Sequence, residues 1–534
     1  MSLCGKTSRY RARWGAALGP LLVSVCAMAA DLPPFPAPPA PLVEIAQLQR
    51  FLALATRPGT NEPPIRVLFY GQSIIDQWWS RLAEVLRRRF PDRPWLFENR
   101  ALGGHAAPYL LKTAEADVYR FQPDLLVFHD YDVDGRWDHY AEFIRRVRQR
   151  TCADILIVGN HLAGWDVLDE DSRTNGLPVE LWPGHAAVDY VYLPAIADSV
   201  GACRADIRTP WKRYLREHAL DPAVLRADHV HLNAAGVEFV VTLLAAYVEP
   251  RVFTPAVDPF DCGRVSRIRI EGRRELTFTG NRIVLAATGG PARVACLLDG
   301  QPPSRWPVLY QHGRASAWPQ TWLPALLKIE SASVPIEEDW ALTVDEIPDE
   351  RAFTFHLRGS VTGADGHGRA DADFTSASGR VQIRSADWYW EAFQGGLTPG
   401  FQIRWQTRLH GSDHAEAGGA WHWVEVANGL EDGPHTLRLE RLAGRLEDFP
   451  EVLVYHPAGA EVGAGPDRTM RWIAEKGGLL IRWPDLPDGS PAVSSDLNRW
   501  QPLPAAPARF GRRQIELATE AAAAFYTLLP TIKP

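Results

Sequence analysis

Between residues 63 and 250, short apolar runs alternate with longer stretches in which apolar residues recur at helical spacing. The apolar runs predict buried strands at Ile65–Tyr70, Leu96–Phe97, Leu125–Phe128, Ile155–Val158 and Ala202–Asp206. The clearest helical stretches are Ile74–Arg89, Tyr140–Arg150 and Ala234–Val248. Apolar strands separated by helices indicate a parallel sheet with helices on both faces. Reaction sites in such sheets form where the strands end, so polar residues at those points are candidates for chemistry.

After Pro250 the pattern changes to short β-branched or aromatic runs, which glycine, aspartate and proline turns separate. Val265–Ile270, Arg282–Ala286 and Ala352–Leu357 are examples. This pattern is typical of an all-β sandwich, which we place at residues 258–457. Further strand-like runs predict a small β module at residues 470–534. The expected fold class is therefore multidomain, with an α/β parallel-sheet domain followed by all-β sandwich modules.

The first 29 residues have the pattern of an export signal. Three arginines precede the apolar stretch Trp14–Cys26, and Ala27-Met28-Ala29 supplies a small-residue cleavage pattern. Residues 30–62 are expected to form a proline-rich leader before the α/β domain. No later segment approaches 18 uninterrupted apolar residues, so stable membrane insertion is not expected. This pattern predicts a bacterial protein that is periplasmic or secreted.

Length and composition narrow the choice of partners. A chain of 534 residues is too long for one ordinary core. The formal net charge is −7 and the basic residues are scattered, so a nucleic-acid partner is not predicted. Twenty tryptophans fit either buried cores or faces on which sugar rings stack. Four cysteines beyond the signal fit either disulfides or free buried thiols, namely Cys152, Cys203, Cys262 and Cys296. The oligomeric state stays open.

Ser73 is the first candidate for chemistry, because Gly71-Gln72-Ser73 directly follows an apolar strand. Serine becomes a useful nucleophile when an imidazole takes its proton and a third group holds that imidazole. A serine here also fits the cap of the helix that begins at Ile74. The two roles are compatible, since the positive end of the helix dipole favours a nucleophilic oxygen.

The base and its partner are predicted far downstream, in the segment Arg226–Gly236. Asp228 precedes His231 by three residues at the mouth of a predicted helix, so their side chains can meet. The carboxylate then takes one imidazole N–H and leaves the other nitrogen to accept the serine proton. The alternative is a capping aspartate beside a surface histidine. His229 is interpreted as a bystander that points away from His231.

These segments resemble the SGNH hydrolases, the GDSL-like esterases and lipases. Gly71-Gln72-Ser73-Ile74 is similar to their first block, with Gln72 where Asp is usual, and Asn99–Gly104 looks like the second block. Asp228 and His231 match the last block. The resemblance covers about residues 65–248. It implies a three-layer α/β/α domain that hydrolyses esters through an acyl-serine without a cofactor, and an oxyanion hole that includes the N–H groups of Ser73 and Gly104.

The third block departs from that family. Its usual Gly-x-Asn-Asp supplies an asparagine donor to the oxyanion, whereas this chain has Phe128–Asp132 with no asparagine. Loss of one such donor typically costs about 10² to 10³ in rate. The alternatives are a substitute donor, a slow enzyme or an inactive one. We favour a substitute donor, from Tyr131, His129 or Asn160.

A metal site is not predicted at either of two sets of histidine and aspartate residues. The first set consists of histidines and an aspartate near strand ends, namely His129, His161, Asp228, His229 and His231. These lack HExxH or paired-cysteine spacing. The second set is Asp365, Asp371 and Asp373, which lack EF-hand spacing and are better explained as a solvated turn.

The expected function is an exported serine esterase that acts on O-acyl esters, with acetyl esters on a polysaccharide favoured. The polysaccharide preference comes from segments such as Gly359–Gly363, which loosely resemble accessory sandwich modules of secreted bacterial hydrolases, and from a tail that resembles small fibronectin-like modules. Lipid and aryl esters stay open. The alternative is a non-hydrolytic carbohydrate-binding or cell-surface protein with a degenerate SGNH domain.

Overall fold

The computed structural model describes most of the chain between residues 32 and 457. The described ranges are 32–36, 42–59, 61–131, 137–170, 177, 185–251, 256–319, 323–349, 351–393 and 396–457, with six strand segments between 471 and 530. The predicted export signal at residues 1–29 lies outside the described residues, as does Asp132 of the third block. In the described part of the chain, no helix is long and apolar enough to cross a membrane.

The α/β domain is built on a five-stranded parallel sheet. Its strands are β1 (Ile65–Gly71), β2 (Trp95–Asn99), β3 (Leu125–His129), β4 (Asp154–Val158) and β5 (Cys203–Ala205), in the order β2-β1-β3-β4-β5. The register places Gly71 beside His129, so the carboxyl ends of β1 and β3 meet at one edge. The predicted strands and their parallel arrangement are confirmed.

Helices cover both faces of this sheet, which makes three layers. They are α1 (Leu42–Ala46), α2 (Gln49–Thr56), α3 (Ser73–Arg89), α4 (Ala107–Ala114), α5 (Trp137–Arg150), α6 (Leu193–Val200), α7 (Arg208–Glu217) and α8 (Ala234–Tyr247), with single π-helical turns at Glu115–Tyr119 and Val188–Tyr192. One core packs Val67 and Phe69 of β1 against α3, α7 and α8. The other packs Leu68 and Tyr70 against α4, α5 and α6. Alternate residues of a strand face opposite cores because successive side chains point to opposite sides of a sheet.

Part of the segment expected to be a leader is packed into the α/β domain. Phe51 and Leu52 of α2 are completely buried. Arg50 donates hydrogen bonds to the Asp124 carboxylate at 2.8 Å, and to the carbonyl oxygens of Cys152 and Pro259 at 3.3 and 3.2 Å. The apolar stretch within the proline-rich region is thus an integral layer of the fold.

Residues 258–457, called the β domain below, form antiparallel sheets. One sheet has the order β17-β7-β18-β6 and consists of β6 (Val265–Arg269), β7 (Glu275–Leu298), β17 (His414–Ala443) and β18 (Glu451–Tyr455). The second has seven strands, β8 (Tyr310–His312), β9 (Ala315–Ala317), β10 (Pro324–Leu326), β11 (Glu338–Val344), β12 (Thr354–Gly359), β13 (Gly363–Arg369) and β16 (Gln402–Leu409). Two short strands, β14 (Phe374–Thr375) and β15 (Gln382–Ile383), form a separate antiparallel pair. The predicted all-β class of this region is confirmed.

Six more strands follow between residues 471 and 530. They are β19 (Arg471–Glu475), β20 (Gly478–Pro484), β21 (Gly489–Ser494), β22 (Gln501–Pro502), β23 (Arg512–Ala518) and β24 (Phe525–Pro530). They pair as β19-β20-β23 and β22-β21-β24. The rest of the predicted C-terminal module lies outside the described residues.

The four cysteines are free thiols in this structure. Cys152, Cys203 and Cys296 are buried, and Cys262 is half-buried. Burial raises the pKa of the Cys152 and Cys296 thiols to about 12, because the thiolate loses its hydration. These thiols therefore behave as small apolar side chains near neutral pH.

Candidate active site

Ser73 lies at a sharp turn between the end of β1 and the start of α3. Gly71 has a φ of +137°, and a Cβ atom there would lie 1.9 Å from the carbonyl oxygen of His129. Glycine is therefore required where β1 passes the end of β3. Gln72 is extended, and Ser73 is the first residue of α3. The serine hydroxyl thus stands at the helix end whose dipole favours negative charge.

The structure brings Ser73, His231 and Asp228 into one chain of hydrogen bonds. Ser73 Oγ lies 3.1 Å from His231 Nε2, across 158 residues of sequence. His231 Nδ1 lies 2.8 Å from Asp228 Oδ2. An ionised carboxylate only accepts, so Nδ1–H donates to Asp228 and Nε2 is left to accept the serine proton. This arrangement can activate a serine nucleophile.

The charge on Asp228 is held by the backbone of its own segment. Burial acts to raise the pKa of Asp228, but hydrogen bonds from His231 and Val230 outweigh it and lower the pKa to about 2. The N–H groups of Val230 and His231 donate to Oδ1 at 2.7 and 2.6 Å. The carboxylate is therefore ionised at neutral pH and can balance an imidazolium. The side chains of His231 and Asp228 are 40% and 55% exposed, so the triad opens to solvent.

Three residues that the sequence did not single out for this purpose hold the segment 228–232 in place. Gln77 donates to the carbonyl oxygen of Leu232 at 3.1 Å and accepts its N–H at 3.0 Å. His161 Nε2–H donates to the carbonyl oxygen of Val230 at 2.8 Å. Gly164 donates its N–H to the carbonyl oxygen of His229 at 2.7 Å. Gln77 follows Ser73 by four residues, so one helix face presents both side chains, and that spacing is a signal visible in the sequence.

His229 takes no part in the hydrogen bonds that join Ser73, His231 and Asp228. Its imidazole packs over Gly164, where an added Cβ atom would lie 2.2 Å from His229 Nδ1. The absence of a side chain at Gly164 therefore makes room for the histidine.

The second block forms a loop beside Ser73. We call residues 100–105 the oxyanion loop. The N–H groups of Arg100 and Leu102 donate to the carbonyl oxygens of Phe69 and Gly71 at 2.9 and 2.7 Å, which ties the loop to β1. Gly104 has a φ of +75°. The N–H groups of Gly104 and Ser73 donate to no described residue, so both stay available to a ligand.

The three side chains considered as substitute donors are enclosed. Asn160 donates its backbone N–H and its amide to the Asp189 carboxylate, at 2.8 and 3.0 Å. Both ring nitrogens of His129 and the hydroxyl of Tyr131 have almost no accessible surface, and the Tyr131 hydroxyl has no hydrogen-bond partner among the described residues. Burial lowers the pKa of His129 to about 3, with a further contribution from His185, so its imidazole is neutral at pH 7.

Tyr131 instead joins a buried aromatic cluster. Its N–H donates to Gln72 Oε1 at 3.1 Å, which ties the third block to the turn before Ser73. Its ring centroid lies 4.5 Å from that of His185 and 5.5 Å from that of His161. None of the three side chains considered as substitute donors therefore presents an accessible donor group in this structure.

A buried ion network supports His161. Arg208 pairs with Glu170 at 2.6 Å and with Asp166 at 3.0 Å, and all three side chains are at most 1% exposed. Lys212 adds a second cation to Glu170 at 2.8 Å. Arg208 also donates to the carbonyl oxygen of His161 at 3.0 Å. Because His161 binds Val230, the network fixes the backbone that carries the triad.

In the described part of the chain, no group of three or more histidine, cysteine, aspartate or glutamate side chains is arranged to hold a metal ion. Asp365 accepts the N–H and hydroxyl of Ser378, each at 2.7 Å. Asp371 pairs with Arg369 at 2.8 Å, and Asp373 accepts the N–H of Ser385 at 2.8 Å. These aspartates stabilise turns of the β domain.

Several solved protein structures are similar to this chain, all at low sequence identity. No family model and no curated protein matches the chain. A two-domain esterase active on acetylated mannans, co-crystallised with mannopentaose, is 13% identical with a TM-score of 0.31, over 78% of this chain and 96% of that one. An acetylxylan esterase from Geobacillus stearothermophilus is 16% identical with a TM-score of 0.29, over 35% and 96%. An α/β hydrolase from the metagenome of Lake Arreo, Spain, is 18% identical with a TM-score of 0.28, over 36% and 100%. Structural similarity at this level does not assign a function to the chain.

Proposed function

We propose that this chain is a serine esterase that hydrolyses O-acyl esters through Ser73, His231 and Asp228. The observation that carries the proposal is the unbroken path from Ser73 Oγ to His231 Nε2 at 3.1 Å, and from His231 Nδ1 to Asp228 Oδ2 at 2.8 Å. The resemblance of the three sequence segments to SGNH hydrolases supports the same chemistry.

In the first half-reaction, Ser73 Oγ attacks the ester carbonyl carbon and its proton passes to His231 Nε2. The N–H groups of Ser73 and Gly104 donate to the oxygen that becomes negative. The bond to the alcohol oxygen breaks, and His231 returns the proton to that oxygen. In the second half-reaction, water gives a proton to His231 and its oxygen adds to the acyl-serine. The carboxylic acid leaves, and Ser73 regains the proton.

Trp165 supports a sugar as the alcohol part of the ester. Its side chain is 52% exposed, while its indole N–H donates to His185 Nδ1 at 3.1 Å. The edge-on contact with Tyr131, at 5.8 Å between ring centroids, fixes the ring further. The preceding residue, Gly164, binds the backbone of His229 next to the triad. A fixed, exposed aromatic face on the segment that binds the backbone of His229 suits stacking of a pyranose ring, and we infer acetyl esters on a polysaccharide as the substrate.

The proposed location is periplasmic or secreted. It rests on the N-terminal pattern of arginines, apolar residues and Ala27-Met28-Ala29. A polymeric substrate outside the cytoplasm agrees with a triad that opens to solvent.

The proposal is tested by turnover of p-nitrophenyl acetate by the wild type and Ser73→Ala. We expect kcat to fall by at least about 10⁴-fold in the variant, because removal of the nucleophile of a triad costs this much or more. Ser80→Ala, an exposed serine on the same helix, is the matched control and should keep full activity. Labelling by a fluorophosphonate should require Ser73. Equal rates of p-nitrophenyl acetate hydrolysis by the wild type and Ser73→Ala would contradict the proposal.

The second candidate is a carbohydrate-binding protein that does not hydrolyse esters. The enclosure of His129, Tyr131 and Asn160 favours it, since the third oxyanion donor is then missing. It predicts that wild type and Ser73→Ala bind an acetylated oligosaccharide equally and that neither releases acetate over hours. Isothermal titration with parallel acetate detection separates the two candidates.

A further inference from the structure

The β domain contacts the oxyanion loop at both of its ends. At the first end, Arg314 Nη2 donates to the carbonyl oxygen of Arg100 at 3.1 Å. The same guanidinium pairs with the buried carboxylate of Asp117 at 2.9 Å, so it is fixed on the α/β domain as well. At the second end, the Tyr389 ring lies against the imidazole of His105, with 4.2 Å between ring centroids. Residues of the β domain therefore contact the oxyanion loop at both of its ends.

The contact between His105 and Tyr389 is buried. His105 is completely buried, and Tyr389 is 4% exposed. His105 Nδ1–H donates to the carbonyl oxygen of Gly103 at 3.1 Å, so the imidazole is bound to the backbone of the loop. A shift of Tyr389 would therefore move the peptide between Gly103 and Gly104 through a single side chain.

Tyr389 is itself firmly attached. Its N–H donates to the carbonyl oxygen of Ala325 at 3.0 Å, and its hydroxyl donates to Glu391 Oε2 at 2.7 Å. Two residues before it, Asp387 pairs with Lys112 of α4 at 2.6 Å. The position of this ring is therefore defined relative to both the β domain and the α/β domain.

Gly104 has little local support of its own. A Cβ atom built on it would meet nothing within 4 Å, whereas Gly103 faces the Ser73 side chain, with 3.7 Å between the two Cβ positions. The direction of the Gly104 N–H then depends on the contacts of the whole loop. These are its hydrogen bonds to β1 and the contacts of Arg314 and Tyr389 at its two ends. A donor that is displaced from the oxyanion position loses much of its effect, up to about 10² to 10³ in rate for a complete loss.

We propose that the β domain is part of the catalytic machinery, because Tyr389 and Arg314 position the oxyanion loop so that the Gly104 N–H meets the developing oxyanion. Both are positioning residues, since they act through His105 and Arg100 without touching the substrate. The inference rests on the esterase function proposed above. It gives the β domain a role in the rate of the reaction, separate from any binding of polysaccharide.

The test measures kcat and KM for p-nitrophenyl acetate in the full chain with Tyr389→Ala, Tyr389→Phe and Arg314→Met. We expect kcat to fall about 10- to 100-fold in Tyr389→Ala and in Arg314→Met, with KM within about threefold of wild type. Tyr389→Phe keeps the ring and should stay within about threefold in both constants. The affinity for phenylboronic acid, whose adduct with serine is tetrahedral, should fall in step with kcat.

Asn281→Ala is the matched control, because Asn281 donates to the carbonyl oxygen of Arg150 at 2.9 Å in the same interface without touching the loop. It should leave kcat and KM unchanged. If Tyr389→Ala does not fold, Tyr389→Leu is measured against the same criterion. A folded variant without the ring that keeps wild-type kcat would overturn the inference. If wild type and Ser73→Ala are equally inactive, the esterase proposal itself has failed.

Discussion

Tyr131 is held by both its backbone and its side chain. Its backbone N–H donates to Gln72 Oε1 at 3.1 Å, and its ring lies 5.5 Å from that of His161 and 4.5 Å from that of His185, between centroids. These contacts enclose the Tyr131 hydroxyl. They join residues 30 to 59 positions apart, so the enclosure had no signal in the sequence, whereas the local motifs of the candidate site did.

Tyr131→Phe tests whether the enclosed hydroxyl acts as a donor. The phenol has no hydrogen-bond partner among the described residues, so its removal should leave the protein as stable or about 1 kcal/mol more stable. If the oxyanion is bound by backbone N–H groups, as proposed, kcat should change by less than about threefold. Kinetics with p-nitrophenyl acetate and urea unfolding measure the two effects. A loss of kcat of about 10²-fold with unchanged stability would instead identify Tyr131 as the substitute donor.

Among the helices, α3 carries Ser73, the proposed nucleophile, and also anchors the segment that holds His231. Its apolar spacing predicted the helix, and the observed helix differs by starting at Ser73 instead of Ile74. The extra residue follows from Gln72, which takes the capping position with an extended backbone. The contact of Gln77 with Leu232 spans 155 residues, and pairings across that distance are outside the reach of local patterns.

Gln77→Ala should separate the anchoring role of α3 from its packing role. The variant loses two hydrogen bonds to Leu232, one in each direction. We expect stability to fall by about 1 to 3 kcal/mol, and kcat by about tenfold with little change in KM, because His231 is the residue next to Leu232. Glu84→Ala, an exposed position on the same helix, serves as the control and should change neither quantity. An unchanged kcat in a destabilised Gln77→Ala would limit the glutamine to a structural role.

Across the protein, the α/β domain and the β domain share one of their hydrophobic cores. Phe260, Val284 and Leu453 of the β domain belong to the same core as the residues of β1 and α3. Arg120 donates to the carbonyl oxygens of Asn428 and Val308, both at 2.6 Å. Patterns within each sheet predicted the fold classes correctly, because alternation and apolar runs are local properties. The contacts between the two domains join residues about 200 to 300 positions apart, and no local pattern in the sequence predicts them.

Because buried histidines of the α/β domain and half-buried histidines of the β domain have lowered pKa values, we expect the protein to lose stability in acid. Burial lowers the pKa to about 3 for His129 and His161, and to about 4 for His312 and His410. Unfolding returns each pKa to about 6.5, so the unfolded chain takes up protons that the folded chain does not. The part of the free energy of unfolding that depends on these histidines being neutral is fully present above about pH 6.5. For each histidine it declines by up to about 1.4 kcal/mol per pH unit as the pH falls toward 4.

Urea unfolding between pH 7.5 and 5 measures this effect. His312→Asn removes one half-buried histidine with a lowered pKa and should reduce the dependence of stability on pH by about one proton. His422→Asn alters an exposed histidine and is the control. Identical pH dependence in the two variants would contradict the assignment of His312 as a group that is neutral in the folded protein.

The burial of Arg50 in α2 has a consequence for how the protein is made. Its three partners, Asp124, Cys152 and Pro259, follow it by 74, 102 and 209 residues. At a synthesis rate of about 5 to 20 residues per second, about 10 to 40 s pass between the appearance of Arg50 and that of Pro259. Helix α2 is thus made early, but it completes its contacts through Arg50 only after residue 259 has been synthesised.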